Sequence, residues 1–119
     1  MKIENIKFKA KSLNSGKWIE GDLIRKSNGI YIKRHKYLSA TVDPSTVCMF
    51  TGLTDCKGNE IFEHDLIHFV GFSYTAEVIW SEGNYAFMVV CENKHSYWLH
   101  DVIKLCRIER ISNKFDKEK

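Results

Sequence analysis

Two words in this 119-residue chain carry acidic residues at one spacing: "WIEGDLI" at 18–24 and "IFEHDLI" at 61–67. Paired carboxylates such as Glu20/Asp22 and Glu63/Asp65 could serve as acid and base, or share a metal ion. In an extended strand, however, residues i and i+2 stand ~6.6 Å apart, too far to hold one small cation without another segment. The mechanical alternative is a bend. An Asp that follows such a pair accepts backbone N–H groups where one strand gives way to the next. On this reading Asp22 and Asp65 are structural bends, and Gly58 in "DCKGNE" closes a hairpin by taking a left-handed conformation.

Five histidines and four cysteines raise the question of a metal. "HDLIH" would bring His64 and His68 to one zinc if it were helical. As a strand it holds them ~13 Å apart. Cys91, His95 and His100 form a looser set with no Cys-x-x-Cys partner. Neither a Gly-x-Ser-x-Gly elbow nor a phosphate-cradling glycine loop is present in the sequence. The expectation is therefore a non-enzymatic protein with no catalytic residue, no metal site and no cofactor.

Charge offers a more concrete possibility. Net charge is only +3, but Lys and Arg outnumber Asp and Glu ten to three over 1–40, trail two to nine over 41–103, and lead six to three over 104–119. Lys7, Lys9 and Lys11 would form a row of ammonium groups, extended by Arg25, Lys26, Lys33, Arg34 and Lys36. Tyr31, with Trp18 and Tyr37, would offer stacking faces, so a single-stranded nucleic acid is one expected partner. The competing expectations are a solvated strand edge and a protein-interaction module. In the latter, basic and acidic segments meet in a homo-oligomer or against a host or phage protein.

The elements that must position these groups are strands. "IKFKAKS" alternates, placing Ile6, Phe8 and Ala10 towards a core and the three lysines towards water. Turn signals recur at "NSGK" (14–17), "SNG" (27–29), "DPST" (43–46), "DCKGNE" (55–60) and "SEGN" (81–84). Between them lie short stretches rich in β-branched and aromatic residues: "KWIEG", "IYIK", "TVCMF", "IFE", "DLIHFV", "AEVIW", "YAFMVVC" and "SYWL". This pattern predicts a mainly β fold, a small antiparallel barrel or strongly bent sheet with an SH3-like barrel among the options, and at most one or two short helices. Trp80, Phe87, Val89 and Trp98 are expected in the core, with Trp80 facing Tyr85 or Phe87 across a hairpin. The tail "HDVIKLCRIERISNKF" reads two ways. Leu105, Ile108, Ile111 and Phe115 suit a helix, whereas Ile103, Leu105, Arg107, Glu109 and Ile111 give a mixed strand face.

The length fits one domain over 1–119, with no Pro/Gly/Ser-rich spacer. The start "MKIENIKFKAKS" has no apolar run behind its lysines, and the longest apolar run, 85–91, is far short of the ~20 residues a membrane-spanning helix needs. A cytoplasmic protein without membrane partners is expected, its four cysteines free and mostly buried.

"FTGLTDCKGNEIFEHDLIHF" at 50–69 resembles the signature of the YopX family, and "FKAK", "GKWIEGDLI", "VDPSTVCMF" and "IERISN" extend the resemblance over most of the chain. The resemblance implies a bacterial phage, prophage or mobile-element protein of the small-barrel β kind, without established catalysis, and it favours a strand for the tail. His64 stands where the family usually has Gly, and Glu109–Arg110 replace a common Gly-Asn pair.

Overall fold

A computed structural model describes residues 2–35 and 38–116. Each of the β-rich stretches falls wholly or mainly in a strand. The strands are β1 (Phe8–Lys11), β2 (Trp18–Lys26), β3 (Gly29–His35), β4 (Leu38–Thr41), β5 (Cys48–Thr54), β6 (Glu60–Phe62), β7 (Asp65–Phe69), β8 (Thr75–Ser81), β9 (Ala86–Cys91), β10 (Ser96–Trp98) and β11 (Ile108–Asn113). The fold is mainly β and antiparallel, with one short α-helix, α1 (Leu99–Leu105), among the described residues. The sheets stay open rather than closing into a barrel. Among the described residues, no helix is long and apolar enough to cross a membrane.

The chain groups into two compact units, Met1–Phe50 and Thr51–Lys119. In the first, strands β4, β3, β2, β1 and β5 lie side by side in that order. Ala10, Ile32 and Val42 are buried at its core, and Phe8, Ile19, Leu23, Ile30 and Val47 pack against them. Strand β2 is long because it serves two neighbours in turn. Trp18–Gly21 pair with β1, and Asp22–Lys26 pair with β3.

In the second unit the order is β10, β9, β8, β7, β11. Its core comprises Ile61, Ile67, Phe69, Ala76, Val78, Val89, Leu99, Val102 and Ile108. Fully burying such side chains is worth roughly 1.5–3 kcal/mol each, so this cluster dominates the unit's stability. The β8–β9 hairpin pairs Trp80 with Phe87 as the sequence suggests, their rings edge-to-face at 5.1 Å. Trp80 and Trp98 nevertheless remain exposed: Trp80 shares the face of Ala76 and Val78 but lies near the end of β8, past the buried cluster, and Trp98 ends the edge strand β10.

The tail resolves into both forms. Residues 99–105 are helical and 108–113 form an edge strand. The expected helical stripe fails, since Leu105 is 83% exposed and Ile111 also faces solvent. The buried positions are Leu99, Val102, Ile108 and Asn113. Ser112 and Asn113 pair with Leu66 and Asp65 across a bulge, and that extra residue breaks the simple alternation of the strand.

Candidate functional site

The two Glu-x-Asp words occupy different structural situations. Asp65 opens β7 fully buried, and its carboxylate is enclosed by donors. The Phe62 N–H donates to Oδ2 at 2.7 Å, Arg110 Nε to the same oxygen at 3.0 Å, and Asn113 Nδ2 to Oδ1 at 2.9 Å. Asn113 Nδ2 also reaches the Glu63 carbonyl at 3.2 Å. This carboxylate turns the β6–β7 corner and ties it to β11. Asp22 instead sits exposed within unbroken β2, opposite Lys33, at the step where β2 exchanges β1 for β3. The residue that shapes this step is Gly21, whose φ is +157° and whose absent Cβ would lie 2.2 Å from the Lys33 carbonyl oxygen.

A third carboxylate organises the neighbouring hairpin. Asp55 accepts from the backbone N–H groups of Lys57 (2.9 Å), Asn59 (2.8 Å) and Arg110 (2.8 Å), and from Asn59 Nδ2 (3.1 Å). Burial pushes this carboxyl up, but the backbone donors of Arg110 and Asn59, with the Asn59 amide and the Lys57 N–H, outweigh it and leave the group below the usual range. Gly58 follows at φ +85°. Arg110, which replaces a family Asn, thus bonds to Asp55 through its backbone and to Asp65 through its side chain. These acids are occupied in holding strands together.

His64 adopts φ +71°, the conformation the usual Gly would take without cost. Its N–H donates to the Val78 carbonyl at 2.6 Å and its carbonyl accepts from Lys114 N at 2.8 Å. The ring lies 2.9 Å from Glu77 and 3.6 Å from Glu63, with Phe115 edge-on at 5.4 Å. His68 lies within β7 and reaches the Phe72 carbonyl at 2.6 Å. Among the described residues no three His, Cys, Asp or Glu side chains gather as a metal site. The cysteines are free, but only Cys48 is buried, which corrects the expectation that most would be. Cys91 is partly exposed and its thiol is pushed up by burial and by Glu92, while Cys56 and Cys106 lie at the surface.

The basic set does not form one solvated row. Lys9 is only 5% exposed, and its ammonium lies 4.5 Å from the Trp18 ring, which Lys11 also approaches at 5.5 Å. Lys7 lies over Phe50 at 4.9 Å and Lys26 over Tyr31 at 4.9 Å. The lysine stems run along aromatic rings because Trp18 pairs with Lys11 in register and lies across that face. Lys33 shares the face opposite Asp22, whereas Arg25, paired with Ile30, points to the other side. Arg34 sits exposed at the register shift between β3 and β4. Lys36 and Tyr37 lie outside the described residues.

Sequence reasoning missed a concave feature of the second unit, a cleft of ≈ 550 Å³. Phe72 and Tyr74, from the β7–β8 loop, stack with centroids 5.8 Å apart and planes at 15°. Tyr97 and Trp98 of β10 line the same cleft, with Val102 and Leu105 of α1. Phe72, Tyr74, Tyr97, Trp98 and Leu105 are all exposed, so a large share of the molecule's uncovered apolar side chains gathers here. Asp101 contributes a carboxylate, held 3.5 Å from His100. "SYWL" could have signalled part of it, an apolar stretch too rich in large rings for a three-residue edge strand to bury.

A family model described as YopX protein matches residues 1–117. The chain belongs to the YopX family. A search of curated proteins finds no match. In this YopX protein the family stretch at 50–69 maps onto β5, β6, β7 and the Asp55 turn between β5 and β6. Its Asp55, Gly58 and Asp65 therefore coincide with the turn and corner described above.

Proposed function

We propose that this YopX protein acts by binding rather than by catalysis, and that it engages a partner polypeptide through the aromatic cleft of its second unit. The observation that carries this reading is the concentration of Phe72, Tyr74, Tyr97, Trp98 and Leu105, all exposed, around one concavity. Contiguous exposed apolar surface of this kind marks interaction sites in soluble proteins. Strand β10 forms the open edge of the sheet beside it, and an extended peptide could add there main chain to main chain. The saturation of Asp55 and Asp65 by structural donors supports a non-catalytic role. The partner is a phage or host protein of the bacterial cytoplasm, or a second copy of this chain.

The test is selection of random decapeptides against the protein. Selected peptides should perturb the amide resonances of 96–105 and should bind at least about tenfold more weakly to Tyr97→Ala/Trp98→Ala. Binders indifferent to both changes, or no binders, would overturn the reading. Light scattering of the same variants decides whether self-association uses this face.

A second reading is favoured by a different observation: lysines stacked on aromatic rings along the outer face of β1, β2 and β3. Such a face suits a single-stranded nucleic acid. Because Lys9 is buried, the informative variant is Lys11→Gln/Lys26→Gln/Lys33→Gln. Oligonucleotide affinity should fall steeply as salt rises, and the salt slope should shrink in this variant. Salt-insensitive or absent binding removes this reading.

A further inference from the structure

We infer that the aromatic cleft selects a cationic side chain, a guanidinium or ammonium group presented by a basic peptide. This inference rests on the reading of the cleft as a peptide-binding site and names what that site prefers. The face of an aromatic ring is the negative part of its quadrupole, so rings converging on one cavity favour a positive guest. Here Phe72, Tyr74, Tyr97 and Trp98 are all among the residues that line the cavity. The Phe72–Tyr74 pair is nearly parallel at 15°, which leaves an outward ring face on the stack.

Asp101 gives this environment a definite sign. It is the one charged side chain lining the cleft among the described residues. Lys94, Lys104 and Arg107 are close in sequence but are not among the lining groups. A carboxylate beside ring faces attracts a guanidinium and repels a phosphate or a peptide carboxylate, so charge complementarity excludes an anionic partner at this place. The remaining polar groups, Asn93 and Ser96, can orient a neighbouring peptide amide without altering that sign. At ≈ 550 Å³ the cleft is much larger than a single ammonium group, and it has room for a long side chain together with its flanking backbone.

Arginine is the better guest because its planar group can stack on a ring while donating to a carboxylate at its edge. The probes are N-acetyl-arginine methylamide and its neutral isostere, N-acetyl-citrulline methylamide, titrated while the Trp98 indole and the amides of 96–105 are followed by NMR. The arginine probe should bind about fivefold more tightly than citrulline, the discrimination expected of partly exposed ring faces and one carboxylate. Asp101→Asn should reduce the preference to less than about twofold. Tyr74→Leu should weaken the arginine probe by a similar factor while the fold stays intact by circular dichroism. Equal binding of the two probes would overturn the inference and leave peptide binding by an apolar cleft in place. Saturable shifts from neither probe would also overturn it, and the decapeptide selection then decides the cleft's role separately.

Discussion

His64 is one of three described non-glycine residues at positive φ, with Tyr85 at +51° and Lys94 at +75°. A non-glycine residue at φ +71° gives up roughly 1–2 kcal/mol, offset here by the ring's contacts with Glu77 and Phe115. His64→Gly should therefore change stability little, exchanging strain for lost contacts. His64→Ala keeps the strain and loses the contacts, so it should be the less stable of the two variants by about 1 kcal/mol in urea unfolding. The opposite order would mean that the left-handed backbone at this position costs a side chain nothing. Asp55 makes a prediction about acid. Its folded-state carboxyl lies below the ordinary value of 3.8, so its contribution to stability is present above that value and drains away as pH falls through the lower, folded one. Asp55→Asn should be less stable than the wild type at pH 6 and should show a shallower loss of stability below pH 4. Parallel pH profiles for the two proteins would contradict this account.

At the scale of elements, the decisive position is the one where β2 changes partners. Gly21→Ala would push a methyl group into the Lys33 carbonyl oxygen, and backbone on both sides must move to admit it. The expected loss is about 3 kcal/mol or failure to fold, with amide protection falling first in β2 and β3. A stable Gly21→Ala variant with native protection would show that the close approach is not essential. The strands themselves were legible because alternation and turn residues are local: "NSGK", "SNG" and "SEGN" each fall at a strand-to-strand connection. Asp65 was also legible as a corner, since its Phe62 partner is three residues away. Its other donors, Arg110 and Asn113, come from 45 and 48 residues along the chain, and no local pattern announces them. Lys9 was misread for a related reason. Alternation assigns it to the outer face correctly but cannot say that Trp18 already covers that face. The cleft was hidden most completely, as it joins the β7–β8 loop to β10 and α1, three segments whose exposed rings look individually like ordinary surface.

Across the whole molecule the four thiols report on these separate features, and their reactivity can check the architecture at once. Cys48 is fully buried in β5, its Sγ donating to the Thr46 carbonyl at 3.3 Å, so it should react with a thiol reagent only when the first unit opens. Cys56 and Cys106 are exposed and should react within the first, fast phase. Cys91 should lag behind them, because burial and Glu92 hold its thiol above the ordinary value of 9.0 and little thiolate exists at neutral pH. Its rate should accordingly still be rising as pH passes 9.0. Two fast thiols, one slow pH-dependent thiol and one protected thiol are the expected outcome, assigned by mass spectrometry of the labelled peptides. Because Cys91 and Cys106 line the aromatic cleft whereas Cys56 does not, a bound peptide should slow Cys106 and Cys91 and leave Cys56 unchanged. Uniform slowing of all exposed thiols would locate the peptide somewhere else, or nowhere in particular.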